Sequence, residues 1–356
     1  IKPRLSTLTG RQLAWSPSTK KRGITAEVTI MPDINNKNDF EKWLKTIKGK
    51  FVLVSRYQPT GRTDSNWKEY ALEESFEKMK NDREEISRKW YNNLRLTGYG
   101  YRDINKAYED AGAVGLISSY WSRVPGSNKV FNARTEKIPN IDVNLEDYGA
   151  LYRLVKNGKK PVIKVVSISK ELGDVPTFNT IAQIKGVEKP NEYVILSAHF
   201  DSWDGGQGTT DNGTGTLVML EAMRILKKIY PNPKRTILVG HWGSEEQGLN
   251  GSRAFVEDFP EIVKNTQAVF NQDNGTGRVV SLSGQGFLYS YEFLTNWLYS
   301  VPNNISKHIK TDFPGLPSSG GSDYASFVSA GIPAFSLSSL SWDYGNFTWH
   351  TNLDTY

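Results

Sequence analysis

Residues 193–215 read Y-V-I-L-S-A-H-F-D-S-W-D-G-G-Q-G-T-T-D-N-G-T-G. The opening run, Tyr193–Ala198, is almost continuously apolar, which suits a strand in a sheet covered on both faces. His199 ends that run, and a glycine-rich polar loop carrying Asp211 follows. Beyond it, Leu217, Leu220, Met223, Ile225 and Leu226 recur at helical spacing through Thr214–Ile229. Apolar strand, polar loop and amphipathic helix make the repeating unit of an α/β sheet.

The same grammar extends through the rest of residues 171–356. Strands are expected at Thr180–Lys185, Thr236–Gly240, Ala268–Asn271 and Ala334–Leu337, with helices at Ser252–Phe259 and Tyr289–Val301. Alternating strands and helices predict a three-layer α/β/α domain on a mixed, mainly parallel sheet. The Pro-, Gly- and Ser-rich stretch Asp312–Ser322 reads as a mobile loop.

The first half differs. Residues 1–24 form a polar, turn-rich lead-in, assigned to the same domain as 171–356. Residues 25–170 read as a β-rich accessory block, with strands at Ala26–Ile30, Phe51–Ser55, Val114–Ser118, Ile138–Val143 and Val162–Val166. Helices are expected at Ala107–Ala113 and Leu145–Val155, the latter ending at Asn157-Gly158. Residues 66–94 carry many charges and no Gly or Pro, with spacings such as Glu84–Arg88. They read as one or two exposed helices set into the block.

Composition narrows the function classes. The 356 residues are 38% hydrophobic and 23% charged, as in ordinary globular proteins. The net charge of +6 is dispersed, and the densest basic clusters are Lys20–Arg22 and Lys159-Lys160, so no nucleic-acid stripe is present. With no cysteine, disulfides, thiolate metal sites and a Cys nucleophile are excluded. No apolar run reaches the ~20 residues of a membrane span. The chain begins at Ile1, which we read as a processed or trimmed start. Oligomeric state is not legible.

Candidate functional residues lie where the strands end. His199 follows Val194–Ala198, Glu245-Glu246 follow Thr236–Gly240, and Asp273 follows Ala268–Asn271. In open α/β sheets this edge is where ligands bind. Asp211 sits among glycines that let backbone approach a ligand closely, and His350 lies in W-H-T-N-L-D-T. Each also has a bland reading when taken singly: a strand-end His with a local Asp cap, an acid at a helix N-terminus, an acidic turn, a surface His. Together, two His and three carboxylates make a mixed N/O set that suits zinc, with one carboxylate more than a single tetrahedral ion needs. Adjacent acids in a loop point differently, which assigns Glu246 to metal and Glu245 to proton transfer. Asp201 is placed to accept the second ring N–H of His199. His241 reads as a packed, hydrogen-bonded strand residue and His308 as surface.

The order H-x-D, T-D-N-G-T-G, E-E-Q-G, D-N-G, G-S-D-Y and H-T-N-L-D-T resembles that of the M28 zinc exopeptidases, in particular their carboxypeptidase Q-like subgroup. Lys48–Val54, Ala111–Ser118 and Ile138–Val155 are similar to a protease-associated (PA) domain. The resemblance implies a phosphorylase/hydrolase-like fold and two Zn2+ ions. One would take His199, Asp211 and Asp273, and the other Asp211, Glu246 and His350. It further implies Glu245 as general base toward a hydroxide held between the ions, and a peptide or dipeptide substrate cleaved at a free terminus, as in an aminopeptidase or dipeptidase. Several relatives use a Tyr near the last His for the oxyanion. Here Trp349 stands just before it, leaving Tyr344 or Tyr324 for that role. The chain ends six residues after His350, where a further helix is expected, and an N-terminal helix is also missing.

Two alternatives stay open: a catalytically silent binding homologue, and a single-zinc aminoacyl cyclase on a related fold. The subgroup implies an exported enzyme. The sequons at Asn212, Asn274 and Asn346 lie beside the candidate site, where glycans would obstruct it, so a bacterial exported enzyme fits better.

Overall fold

Short apolar strands alternate their side chains between two covered faces, and this builds both sheets of the chain. The computed structural model describes residues 5–100 and 103–356. It divides into one unit running to Gly173 and including Thr351–Leu353, and a second comprising Asp174–His350 and Asp354–Tyr356.

In chain order, the first unit contains β1 (Gly10–Gln12), β2 (Ile24–Ile30), α1 (Lys37–Leu44), β3 (Phe51–Leu53), α2 (Asp64–Tyr70), α3 (Glu73–Thr97), α4 (Asp103–Asp110), β4 (Gly115–Ser118), β5 (Asn140–Val143), α5 (Leu145–Lys156) and β6 (Val162–Val165). The sheet order is β1-β5-β4-β3-β2-β6. Its four central strands are parallel, and β1 and β6 close the edges antiparallel. Phe51, Leu53 and Ile117 face a core cluster with Tyr148 and Leu151 of α5. Val52 and Leu116 point the other way, to Phe40, Ile104 and Tyr108.

Two expectations are corrected here. The helices of this unit contribute more residues than its six short strands, so the block is an α/β layer rather than β-rich. Gly10–Gln12, expected to belong with the second half, pairs with β5 in the first sheet. The charged stretch near 66–94 forms α2 and most of α3, whose C-cap Gly98 is left-handed. Lys78–Asp82 and Glu85–Lys89 pair along α3, whereas the Glu84–Arg88 spacing forms no ion pair. Helix α1, capped by Asn36, was not anticipated.

The second unit contains β7 (Thr180–Ile184), β8 (Lys189–His199), α6 (Gly213–Ile229), β9 (Arg235–Trp242), α7 (Asn250–Asp258), α8 (Pro260–Lys264), β10 (Thr266–Asn271), β11 (Val279–Ser283), α9 (Ser290–Ser300), α10 (Asn303–Ser306), β12 (Lys310–Asp312), α11 (Tyr324–Ser329), β13 (Ala334–Ser339) and α12 (Tyr344–Phe347). The sheet runs β12-β11-β13-β10-β8-β9-β7. Its centre, β13-β10-β8-β9, is parallel, while β7 and β11 pair antiparallel with their neighbours β9 and β13. Ile195, Leu238, Val269 and Ala334 pack on Phe255 of α7 and Phe327 of α11. Ala198 and Val239 face Met219 and Met223 of α6, and Ala268 and Phe335 face Leu294 of α9. The result is the expected arrangement of helices on both faces of a mixed sheet. Strands β11 and β12 and helices α8 and α10 were not anticipated.

Tyr148, 1% exposed, closes the first unit's core with a polar clasp. Its hydroxyl donates to the Ser55 carbonyl at 2.6 Å and accepts from the Ser55 N–H at 2.8 Å. Tyr148→Phe keeps the ring but strands both backbone groups, so urea denaturation of the variant is expected to show a loss of about 1–3 kcal/mol.

Candidate active site

Parallel register brings the C-terminal ends of three neighbouring strands to one edge. Asn271 of β10 lies opposite Ser197 of β8, and His199 of β8 lies opposite Trp242 of β9. The residues just beyond these ends are Asp273 and the Glu245-Glu246 pair. Asp211 arrives from the other side, immediately before α6. Asn212 caps that helix through Oδ1, which accepts from Gly215 N–H at 3.2 Å, while its Nδ2 donates to the Gln272 carbonyl at 2.9 Å. A Cβ on Gly215 would lie 2.3 Å from both Asn212 Oδ1 and the Gln272 carbonyl oxygen, so only glycine lets the helix start so close to β10.

The side chains converge. His199 Nε2 lies 3.2 Å from Asp273 Oδ1 and 3.4 Å from Asp211 Oδ1. His350 Nε2 lies 3.6 Å from Asp211 Oδ2 and 3.1 Å from Glu246 Oε2. The two oxygens of Asp211 thus face two different histidines. Ligand-type atoms of His199, Asp211 and Glu246, and separately of His199, Glu245 and Asp273, fall within 4.8 Å of one another. Asp211, Glu245, Glu246, Asp273, Tyr344 and His350 all line one cavity of about 420 Å³.

Electrostatics and hydrogen bonding suit a cation. Asp211 Oδ2 and Glu246 Oε1 are buried with no hydrogen-bond partner, an arrangement that leaves anionic lone pairs unsatisfied. Burial first, then neighbouring acids, pushes the Glu245 and Glu246 carboxyls well above the usual range. Burial opposes charge on His199, but Asp273, Asp201 and Asp211 outweigh it and push the imidazole up. Burial likewise works against an ionised Asp273, yet His199 and the Ser322 hydroxyl hold it below its ordinary value. A pure N/O donor set of this kind fits zinc.

The profile of Peptidase family M28 matches residues 179–356. The chain belongs to peptidase family M28. It is 31% identical over 340 residues to carboxypeptidase Q of Homo sapiens, a match covering 95% of this chain and 64% of that protein. With carboxypeptidase Q of Xenopus laevis it shares 32% identity over 202 residues, 56% of this chain and 42% of the relative. The chain thus spans less than two thirds of the curated relatives it matches. Among solved structures, a peptidase M28 precursor from Shewanella amazonensis superimposes with a TM-score of 0.71 at 21% identity, covering 100% of this chain and 74% of that one. A zinc aminopeptidase from Bacillus subtilis gives 0.60 at 22%, covering 98% and 73%. These likenesses establish the fold.

Within this M28 chain, several expected residues take other parts. His199 Nδ1 is 3.0 Å from the main-chain carbonyl of Asp201, whereas the Asp201 carboxylate is 3.6 Å away. The carbonyl therefore takes the ring N–H, which leaves Nε2 for the cavity. The Asp201 carboxylate instead accepts the backbone N–H groups of Glu245 and Glu246, at 2.9 and 3.2 Å. Tyr344 lines the cavity together with Asp211, and burial followed by the surrounding acids raises its pKa. Tyr324, the other phenol considered, packs against the core under α11 and does not line the cavity. Trp349 lies 4.2 Å from His350, ring to ring. His241 is buried beside Phe200, but its Nδ1 has no hydrogen-bond partner, contrary to expectation. His308 is partly exposed, in keeping with a surface position. Gly320 and Gly321, at the end of the stretch read as a mobile loop, line the cavity.

Other contributors escaped the sequence reading. Asp354 is 3% exposed and accepts from Thr210 N–H at 2.8 Å and Asp211 N–H at 2.9 Å. A buried relay also runs under Asp273. Trp242 Nε1 donates to Ser197 Oγ at 2.7 Å, Ser197 to Asn271 Oδ1 at 2.6 Å, and Asn271 Nδ2 to Ser322 Oγ at 2.9 Å. The Ser322 hydroxyl in turn helps to hold the Asp273 carboxyl below its ordinary value. The only signal for these residues was their presence inside the quoted motifs or at strand ends.

Asn271→Leu keeps the volume and breaks the relay at both its bonds. Competition with a chromophoric chelator is expected to show zinc affinity reduced about 10–100-fold, with an unchanged circular dichroism spectrum.

Proposed function

We propose that this chain is a di-zinc exopeptidase that hydrolyses peptide bonds at a free terminus, as an aminopeptidase or dipeptidase. The observation that carries the reading is the Asp211 carboxylate, whose two oxygens face His199 and His350 separately at 3.4 and 3.6 Å. That is the arrangement a bridging ligand needs. On this reading one ion is held by His199, Asp211 and Asp273, and the other by Asp211, Glu246 and His350. Two zinc ions, when bound, supply Lewis acidity and lower the pKa of water from about 15.7 toward ~7.

The protein's own residues do the rest. Glu245 lines the cavity without being needed as a ligand, and its backbone is pinned by Asp201. It takes the proton of the attacking water and delivers it to the leaving amine. Burial raises its pKa and His199 opposes the rise; bound cations would lower it further, toward the range in which a group both accepts and donates. Tyr344, with its phenol at the cavity, is placed to donate to the carbonyl oxygen as it gains charge.

The first unit is proposed as a PA-like accessory domain, on the motifs named for it and its separate core. Export is proposed from the carboxypeptidase Q likeness. Among the described residues no helix is long and apolar enough to cross a membrane. The Asn212 sequon is 2% exposed with both amide atoms engaged, which leaves no room for a glycan there.

Glu245→Gln is expected to retain both zinc ions by elemental analysis and to lose about 10²–10⁴-fold in kcat. Near-full turnover in that variant would refute the assignment. A chelator is expected to abolish activity on dipeptides and aminoacyl-nitroanilides, and added zinc to restore it.

Zinc binding should also release protons. His199, pushed up by its acidic neighbours, and Glu246, pushed up by burial, carry protons at neutral pH before ligation and lose them on ligation. Apparent affinity therefore rises with pH. Calorimetry in buffers of different ionisation enthalpy is expected to give net proton release at pH 7; a buffer-independent enthalpy contradicts it.

A further inference from the structure

The cavity that holds the candidate site is lined by four carboxylates, and Arg253 is the one arginine or lysine among its described lining residues. Arg253 stands on the first turn of α7, and the backbone locks that turn to the loop bearing the acids. Gly248 and Leu249 N–H groups both donate to the Glu245 carbonyl at 2.8 Å, Gly251 donates to Gly243 at 2.9 Å, and Arg253 to Leu249 at 3.0 Å. A Cβ on Gly251 would lie 2.5 Å from the Gly243 carbonyl oxygen, so only glycine allows so close a contact. The backbone of Arg253 is thus held in a fixed relation to that of Glu245, while its side chain is exposed.

Arginines beside acids usually neutralise them, but this one does not. Among the described residues Arg253 enters no ion pair, not even with Glu257 one turn along α7. Leu249 and Arg253 are also shared with an adjoining cavity of about 220 Å³, lined further by Val256, Ser319 and Ala325. Arg253 therefore forms part of the wall between the acidic cavity and a smaller, mostly apolar recess.

We propose that Arg253 is a specificity-determining residue that holds the free carboxylate of a short peptide substrate. This rests on the peptidase reading above. With the acids engaged by zinc, the one permanently charged, planar fork that a carboxylate meets on the cavity wall is Arg253. A dipeptide spans about 7 Å, so both of its ends stay within reach of one cavity of this size. An acidic side chain offers the same chemistry as a chain terminus, and the test separates the two.

The experiment compares zinc-loaded wild type, Arg253→Gln and Arg253→Lys, matched for melting temperature and zinc content. One pair of substrates is Ala-Ala and Ala-Ala-amide; the other is Ala-Glu-amide and Ala-Gln-amide. Wild type is expected to prefer Ala-Ala over its amide, and Arg253→Gln to collapse that kcat/KM ratio about 10–100-fold, with Arg253→Lys between. Collapse of the Glu/Gln ratio alone overturns the terminal assignment in favour of an acidic side chain. Two unchanged ratios overturn the proposal altogether. A second readout does not need turnover. Calorimetry with the reduced-amide isostere of Ala-Ala, as free acid and as amide, is expected to show the same preference in wild type and its loss in Arg253→Gln. If that preference holds while no peptide is cleaved, the peptidase reading fails and Arg253 stands; if peptides are cleaved without it, Arg253 fails alone.

Discussion

The Asp211 carboxylate has to be buried, ionisable and open on both oxygens at once, and much of the second unit serves that requirement. At 3% exposure a carboxylate normally collects hydrogen bonds. Here the loop around it is satisfied by others. Asp354 takes the backbone N–H groups of Thr210 and Asp211, and Asn212 takes that of Gly215. The Asp211 side chain is thereby freed to face His199 and His350. Thr216, one turn into α6, donates to the His199 carbonyl at 2.8 Å and fixes the helix against the strand that supplies the first histidine.

The other site residues depend on the sheet in a similar way. Parallel pairing of β10, β8 and β9 puts three loops side by side, so residues far apart in sequence meet at one edge. What remains is orientation. The relay from Trp242 to Ser322 uses one donor-only group, one hydroxyl and one amide that each accept and donate, and a last hydroxyl that accepts. Its direction is set by the indole, which cannot accept. The Asp201 carboxylate does the same job for the acid pair through two backbone N–H groups. Neutral donors aimed at carboxylates keep them fixed without adding a competing cation.

How much of this was legible follows from where each signal lives. His199, Glu245, Glu246 and Asp273 were visible because they stood just past apolar runs, and Asp211 and His350 because of the glycine-rich loop and the W-H-T-N-L-D-T motif that carry them. Strand β11, with its half-polar V-V-S-L-S pattern, and β12, three exposed residues, gave no such contrast. Gly10–Gln12 has no strand pattern at all and becomes β1 only through backbone pairing with β5, a non-local event. Asp354 looked like part of a terminal motif because its partners lie about 140 residues earlier. For Asp201 the sequence identified the right residue and the wrong atoms: carbonyl and carboxylate of one residue are indistinguishable in a motif. Tyr324 and Tyr344 were equivalent on paper, and only packing separates a phenol turned to the core from one turned to the cavity.

The same geometry explains why the site is costly to build. Asp211, Glu245, Glu246, Asp273 and Asp323 crowd one region, and both oxygens of Asp323 are buried without a hydrogen bond. Burial pushes the Asp323 carboxyl up to about 7. Apolar residues of the same volume would serve stability better, since buried polar groups left unpaired cost ~1–3 kcal/mol each. The cluster is therefore explained by chemistry and not by folding. It also ties folding to ligation: a cation that binds only the assembled site stabilises it by RT ln(1 + [L]/Kd), about 4 kcal/mol at a thousandfold excess over Kd. That gain is of the size needed to offset two or three stranded carboxylate oxygens. The stability of the second unit and the occupancy of its site are, on these magnitudes, two faces of one equilibrium.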